Sequence, residues 1–168
     1  MEEKEITGTD PVIAVVGIGY VGLSLAVLLA QNHPVYLVDI ASWKAEMVNR
    51  GQSPIEDAEI AEYLQRGDLH LTATVDPAQA YAKADFVVVA VPTDFNSETK
   101  HFDTSAVESV VSSVIEHNPD AAIIIKSTVP VGYTQSLADR LGKQEILFSP
   151  EFLREGHALY DNLYPSRI

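Results

Sequence analysis

An apolar run that leads directly into three closely spaced glycines constrains this chain more than any other stretch. Residues 12–16 read VIAVV, and glycines follow at positions 17, 19 and 22 in the spacing G-x-G-x-x-G. A short continuous apolar run is typical of a buried parallel strand, and the Leu- and Ala-rich residues that follow have helical spacing. Glycines at such a turn let the backbone approach a pyrophosphate, whose charge then faces the N–H groups that begin the helix. The context therefore predicts a dinucleotide site, although the glycine pattern alone also occurs in ordinary turns.

The rest of the chain is predicted to alternate strands and helices. Further strands are predicted at 35–38, 69–74, 86–91, 122–125 and 145–149. Helices are predicted at about 20–32, 41–50, 56–66, 77–82, 103–117 and 132–141, the fourth beginning at the Asp76-Pro77 start signal and the fifth at a capping Asp103. A polar loop is predicted at 92–102, and a short helix or loop from Glu151 onward. The repeated β-α-β order predicts an α/β fold: a Rossmann-like, doubly wound, mainly parallel sheet with helices on both faces.

Length and composition restrict the classes of protein to consider. The chain has 168 residues, a net charge of -13 and no cysteine. We expect a flexible lead-in over residues 1–10 and one domain over 11–168. A strongly acidic chain is a poor nucleic-acid binder, and the absence of disulfides fits a cytoplasmic protein. No apolar run is long enough to cross a membrane, and the charged first residues are not a signal peptide.

Metal and hydrolase sites are not predicted. The five histidines are scattered along the chain without the spacing of metal ligands. Ser24 lies inside the first predicted helix rather than in a nucleophile elbow, so a Ser/His/Asp site is not indicated either.

Asp39 ends the second predicted strand and follows Gly19 by about 20 positions, the distance at which a dinucleotide-binding turn is followed by an acidic residue. There a carboxylate accepts hydrogen bonds from the adenosine ribose and repels a 2′-phosphate, which favours NAD over NADP. The alternative is a capping aspartate before Ala41, and both roles can coexist. Lys44 is either a cation near the same ribose or phosphate, or a solvated helix lysine.

Three other predicted strand ends carry polar residues, and in a parallel sheet such ends meet at one edge. They are Pro92-Thr93, Lys126-Ser127-Thr128 and Ser149-Pro150-Glu151. Each alone is readily explained as a turn or cap, but together they favour a site. Glu151 and Glu155 would share one face if they lay on a helix, where like charges repel. In a cleft such a carboxylate can act as a general base; the alternative is a pair of surface charges.

Four ordered segments resemble the NAD-binding domain of the UDP-glucose/GDP-mannose dehydrogenase family, the nucleotide-sugar 6-dehydrogenases. They are GIGYVGL at 17–23, GQSPI at 51–55, KSTVPVG at 126–132 and FSPEFLREG at 148–156. The resemblance covers about residues 12–168, and it is strongest to short bacterial members that use UDP-glucose.

The resemblance implies a four-electron oxidation of the sugar's primary alcohol to a carboxylate, with two NAD molecules used in turn and a thioester formed on a cysteine. It implies NAD contacts from Gly17, Gly19, Tyr20, Val21, Gly22, Asp39, Lys44, Thr93, Thr128 and Glu155. It also implies sugar-nucleotide contacts from Glu151, Phe152, Leu153, Arg154 and Glu155. Glu151 would be the general base of thioester hydrolysis, with Glu155 as the alternative, and Thr128 would help to position water.

The chain departs from the family pattern because it contains no cysteine. In the family the nucleophile, further substrate-binding residues and a long dimer-forming helix lie beyond the part that is matched here. We therefore expect the N-terminal part of a longer, homodimeric enzyme, and a 168-residue piece that is monomeric and binds NAD without turnover. Two alternatives stay open: a sister enzyme acting on GDP-mannose or a UDP-N-acetylhexosamine, and a non-catalytic NAD-binding module.

Overall fold

The computed structural model describes residues 10–97 and 101–165. The lead-in expected over residues 1–10 lies outside these ranges apart from Asp10. Eight strands lie in the described part: β1 (Ile13–Val16), β2 (Val35–Val38), β3 (Leu71–Thr74), β4 (Phe86–Val89), β5 (Asp94–Asn96), β6 (His101–Asp103), β7 (Ala122–Ile125) and β8 (Ile146–Phe148). The helices there are α1 (Tyr20–Leu29), α2 (Ser42–Asn49), α3 (Ala58–Gln65), α4 (Pro77–Tyr81), α5 (Ser105–His117), α6 (Tyr133–Leu141) and α7 (Ala158–Leu163).

Six strands form one sheet in the order β3-β2-β1-β4-β7-β8, and every neighbouring pair in it is parallel. The chain runs outward from β1 to β3 and then returns to β4, on the other side of β1. The order therefore reverses between β1 and β4, which is where ligands bind in open sheets of this kind. The predicted doubly wound α/β fold is confirmed.

Each face of the sheet is covered by its own hydrophobic core, because successive strand residues point to opposite faces. One core joins Ala14, Val16, Val87 and Val89 to residues of α4, α5 and α6 such as Tyr81, Val111 and Leu137. The other joins Ile13, Val15, Leu37 and Val88 to residues of α1, α2, α3 and α7 such as Leu23, Val48, Ile60 and Leu159. The central strands β1, β2 and β4 are mostly buried on both faces, as their continuous apolar runs predict, whereas Leu147 and Phe148 of β8 are exposed.

The polar loop predicted at 92–102 contains an antiparallel hairpin, β5 with β6. Phe95 and Phe102 are cross-strand partners with ring centroids 5.0 Å apart. Two strands of three residues carry too little alternation to be distinguished from a loop in the sequence. Asp103 belongs to β6 and does not cap α5 itself. The N-cap is Thr104, and the Asp103 carboxylate accepts the N–H of Ser105 at 2.9 Å.

The first helix is shorter than predicted and ends at Leu29. The N–H groups of Asn32 and His33 both donate to the carbonyl of Leu29, so the chain turns before β2 begins.

In the described part of the chain, no helix has the length and apolar character needed to cross a bilayer. Within the same ranges, no group of three His, Cys, Asp or Glu side chains is arranged to hold a metal ion.

Candidate functional site

The turn between β1 and α1 requires glycine at two positions for steric reasons. Gly17 has a φ of 109°, and a Cβ there would overlap the carbonyl of Ala90, the residue that follows β4. A Cβ on Gly22 would overlap the carbonyl of Gly17 itself. The first glycine therefore allows the tight turn, and the third lets α1 pack closely on it.

Gly19 differs from these two glycines because a Cβ there would meet nothing within 4 Å. The open space beside Gly19 is where a bound pyrophosphate would lie. Gly19 is also the N-cap of α1, and no described side chain caps the helix there. The N–H groups of the first turn of α1 are thus directed at this space, and they are suited to an anion.

A crevice of about 620 Å³ opens at the carboxyl ends of β1, β2 and β4. Its apolar walls include Val38, Val75, Pro77, Tyr81 and Val110, and polar groups come from Asp39, Lys44, Ser109 and Ser113. Mostly apolar walls with a few polar groups are typical of a small-molecule site. Burial raises the pKa of Tyr81 to about 12, so its phenol is neutral at physiological pH.

Asp39 lies between the glycine turn and α2, and its side chain is only 12% exposed. Its Oδ2 accepts the N–H of Ile18 at 2.7 Å, and its Oδ1 accepts the N–H of Ala41 at 2.9 Å. Each carboxylate oxygen can accept a further hydrogen bond. The N-cap of α2 is Ala41 itself, so Asp39 fixes the turn before the helix and does not cap it, while its carboxylate lines the crevice.

Lys44 supports the same corner of the crevice. Its Nζ donates to the carbonyl of Ile18 at 3.1 Å and lies 3.9 Å from Oδ2 of Asp39. Lys44 is therefore not a freely solvated lysine, and its charge lies beside the carboxylate that is expected to face the ribose.

The polar strand ends of the second half lie at the same edge of the sheet. Thr93 is half-buried after β4, and Thr128 is exposed after β7. Between them the buried Ser127 donates from Oγ to the carbonyls of Val89 and Val91, at 3.3 and 2.7 Å. Ser127 thus fixes the ends of β4 and β7 to each other, which is a structural role.

We call residues 151–157 the sugar segment, because the family resemblance predicts sugar-nucleotide contacts from residues 151–155. The sugar segment contains no helix. Glu151 and Glu155 therefore do not share a helical face, and the interpretation that depended on such a face is wrong. The helix begins only at Ala158, where α7 starts. Glu151 is half-buried and Glu155 is exposed, so the two carboxylates occupy different environments.

Glu151 forms an ion pair that the sequence analysis did not predict. Nζ of Lys126 lies 3.0 Å from Oε2 of Glu151 and 3.4 Å from Oγ of Ser149. The Lys126 side chain is only 11% exposed. The pairing depends on the adjacency of β7 and β8 in the sheet, which the order of residues along the chain does not reveal.

The other residues of the sugar segment differ in exposure and in hydrogen bonding. Phe152 is 88% exposed, whereas Leu153 is half-buried. Arg154 donates to Asp161 from Nε at 3.1 Å, from Nη2 at 2.6 Å and from its backbone N–H at 3.0 Å. These bonds lower the pKa of Asp161 to about 2. Arg154 is thus paired within the chain, and its contact with the substrate stays a prediction.

Fold and site together define a doubly wound dinucleotide-binding domain. A family model described as "UDP-glucose/GDP-mannose dehydrogenase family, NAD binding domain" matches residues 12–168. The chain therefore belongs to the UDP-glucose/GDP-mannose dehydrogenase family and corresponds to its NAD-binding domain. The uncapped start of α1, the open side of Gly19 and the Asp39 carboxylate fit the pyrophosphate and ribose of that cofactor.

Individual relatives are close in sequence but much longer than this chain. It is 49% identical to UDP-glucose 6-dehydrogenase of Streptococcus pneumoniae over 156 residues, and 46% identical to that of Campylobacter jejuni over 158 residues. Both alignments cover 93% of this chain and 40% of the relative. The chain thus spans less than half the length of these curated relatives.

Solved structures show the same fold. A UDP-glucose dehydrogenase from Pyrobaculum islandicum matches with a TM-score of 0.83 at 29% identity, covering 98% of this chain and 41% of that one. A GDP-mannose dehydrogenase from Pseudomonas aeruginosa, solved as a ternary complex, matches with a TM-score of 0.79 at 29% identity. It covers 91% of this chain and 39% of the matched chain.

Proposed function

We propose that this chain is the cofactor-binding portion of a UDP-glucose 6-dehydrogenase, which oxidises UDP-glucose to UDP-glucuronate with two molecules of NAD. The observation that carries the proposal is the placement of two features at one edge of a parallel sheet. The glycine turn follows β1, and Glu151 follows β8 beside its partner Lys126. A cofactor held at the turn would extend along this edge toward the carboxylate.

The cofactor end of the site uses backbone groups and one carboxylate. The N–H groups at the start of α1 bind the pyrophosphate, and Tyr20 and Val21 supply the first two of these groups. Asp39 accepts from the ribose hydroxyls, and the same charge disfavours a 2′-phosphate. Thr93 and Thr128 line the path of the nicotinamide half. Bound NAD supplies the two-electron acceptor for the primary alcohol of the sugar.

The sugar end of the site uses residues 151–155. Glu151 acts as the general base that removes a proton from water in the hydrolysis of the thioester, and Thr128 orients that water. Lys126 holds the Glu151 carboxylate at the edge of the sheet. Glu155 is the alternative base, and its exposed side chain is also available to the cofactor. The nucleophilic thiol is supplied from outside these 168 residues, because the chain contains no cysteine.

UDP-glucose is favoured over related sugars because the relatives that are 49% and 46% identical are UDP-glucose 6-dehydrogenases. The structural similarity to a GDP-mannose dehydrogenase keeps a sister specificity as the second candidate. For the whole protein we propose a cytoplasmic homodimer, and for the 168-residue chain alone a monomer.

The first experiment titrates the 168-residue chain with NAD and NADP by calorimetry, and then adds UDP-glucose while NADH absorbance is recorded. We expect NAD to bind more tightly than NADP, and no sustained NADH production. Sustained turnover by this chain would contradict the proposal that it lacks part of the catalytic machinery.

The second experiment uses the full-length protein as encoded, with UDP-glucose, GDP-mannose and UDP-N-acetylmannosamine in parallel. We expect two NADH per UDP-glucose and much lower kcat/KM for the other two. Preference for another sugar would establish the sister specificity, and NAD binding without turnover on any of them would favour a non-catalytic module.

A further inference from the structure

One buried carboxylate connects two helices that are far apart in the sequence. Asp57 is 5% exposed and precedes α3. Its Oδ1 accepts the N–H of Ile60 at 3.0 Å, which caps α3. Its Oδ2 accepts the N–H groups of Ala158 and Leu159 at 2.7 and 3.4 Å, which caps α7.

A second capping aspartate in the chain behaves differently. Asp76 is exposed, and its Oδ1 accepts the N–H groups of Ala78 and Gln79 at 3.0 and 3.3 Å. It serves α4 alone, which is the ordinary arrangement of an N-cap. A carboxylate buried as deeply as Asp57 requires several donors, and it obtains them only where α3 and α7 meet.

The helix that Asp57 caps has only six residues, from Ala158 to Leu163. A helix this short is not stable by itself and depends on tertiary contacts. Ala158 and Leu159 are fully buried. On the next turn Nδ2 of Asn162 donates to Oγ of the buried Ser24 at 2.9 Å, and Ser24 lies on α1. Thus α7 is attached both to α3 and to the helix that begins at the cofactor turn.

The sugar segment contacts α7 directly. Arg154 is paired with Asp161 of α7. Gly156 has a φ of 82°, and a Cβ there would lie 3.6 Å from the carbonyl of Glu56, directly before Asp57. At its other end the segment is held by the Lys126–Glu151 ion pair. The place of the segment relative to the cofactor turn is therefore determined by side chains outside it.

We propose that Asp57 is a positioning residue for the sugar site: through α7 it fixes the sugar segment relative to α1 and the cofactor. Asp57 lines neither the glycine turn nor the crevice and touches no reacting group. This inference rests on the proposed function, since it takes residues 151–155 to contact the sugar nucleotide.

The substitution Asp57→Ser should remove the cap of α7 and keep the cap of α3. Serine is a good N-cap, so α3 keeps its local start. A single short hydroxyl cannot also reach Ala158, so α7 loses its cap. Asp76→Ser is the matched control, because it makes the same chemical change at a cap that serves one helix. Asn162→Ala is a second, milder variant that removes the bond to Ser24 and leaves Asp57 intact.

The variants are compared in the full-length protein by steady-state kinetics, NAD calorimetry and amide hydrogen exchange. For Asp57→Ser we expect the KM for UDP-glucose to rise about tenfold or more, because small displacements of positioning groups have large kinetic effects. The Kd for NAD should stay within about twofold, and exchange at Ala158 and Leu159 should accelerate. Asn162→Ala should change KM in the same direction by about threefold, and Asp76→Ser should leave it unchanged.

Two results would overturn the inference while the wild-type protein oxidises UDP-glucose. One is an unchanged KM in both Asp57→Ser and Asn162→Ala. The other is a loss of NAD and sugar affinity in equal proportion, which would indicate general loss of structure. Absence of UDP-glucose oxidation by the wild-type protein is a different result, because it refutes the proposed function itself.

Discussion

The cofactor turn at Gly17–Gly22 and the sugar segment at 151–157 lie at the same edge of the sheet but are built in different ways. The turn joins a buried strand to a helix, and its shape follows from glycines that avoid overlap with nearby carbonyl groups. The sugar segment has no regular structure, and it is held by ion pairs and by the capping of α7. The cofactor half is therefore determined by backbone sterics at closely spaced glycines, whereas the sugar half depends on side-chain contacts between residues far apart in the chain.

The largest effect is expected from Gly22→Ala, which adds a methyl group where the carbonyl of Gly17 lies. Overpacking against backbone should lower the free energy of unfolding by about 2–4 kcal/mol and abolish NAD binding. Alanine is otherwise the better helix former by about 1 kcal/mol, so a loss of stability must come from the close approach. Urea denaturation measures the effect, and an unchanged midpoint would contradict the role assigned to Gly22.

Gly19→Ala sharpens the comparison, because it tests the proposed position of the pyrophosphate without disturbing the fold. The added methyl group meets no protein atom within 4 Å, so the urea midpoint should stay close to that of the wild type. The same methyl group would occupy the space proposed for the pyrophosphate, so the Kd for NAD should rise about tenfold or more, which corresponds to at least about 1.4 kcal/mol. NAD binding at wild-type affinity would place the pyrophosphate elsewhere.

Asp39→Ser is expected to have a smaller and more specific effect. The Kd for NAD should rise about tenfold, while the Kd for NADP should change less, so that discrimination between them decreases. Asp39→Asn is the control, because an amide oxygen can still accept from Ile18 or Ala41 without the charge. If Asp39→Asn keeps the preference for NAD, the preference arises from geometry and not from repulsion of a phosphate.

The smallest effect is expected from Asp161→Asn, because it removes the α7 charge that pairs with Arg154 of the sugar segment. Arg154 lowers the pKa of Asp161 from 3.8 to about 2 in the folded protein, so the stabilisation from this pair is present above about pH 4 and is lost as pH falls through 2. The wild type should therefore be more stable than Asp161→Asn at pH 6, and the difference should shrink below about pH 4 and vanish below about pH 2. Thermal unfolding across this range measures it, and a constant difference would contradict the contribution of the ion pair.

Elements with strong, long patterns were predictable from the sequence, and the exceptions have identifiable causes. The strands β1, β2, β4 and β7 were predicted because their residues are continuously apolar, whereas β3 alternates apolar and polar residues, with Thr72 and Thr74 on one side. The β5–β6 hairpin was not predicted, because its strands have three residues each and the Phe95–Phe102 contact between them appears only once they are paired. The start of α4 was predicted from Asp76 and Pro77, whereas α7 offers no such signal, since its cap is contributed by Asp57.

The candidate site was predictable to different degrees in its two halves. The glycines and Asp39 lie where the sequence pattern predicts, because the path from β1 through α1 to β2 is short and sterically restricted. Lys126 lies within one of the four segments that resemble the family, yet its pairing with Glu151 could not be foreseen without the order of β7 and β8. The shared face considered for Glu151 and Glu155 required a helix at these residues, and the helix starts three residues after Glu155.

The sequence by itself determined the fold class, the dinucleotide turn and the family, because apolar runs and glycine spacing are patterns of consecutive residues that can be recognised without knowing what packs against them. Only the tertiary structure decided which donors Asp57 binds, which cation pairs with Glu151 and where the sugar segment lies. Those contacts join residues up to 102 positions apart. A carboxylate can accept from any nearby N–H, so its partners become definite only when the packed helices and strands bring them together.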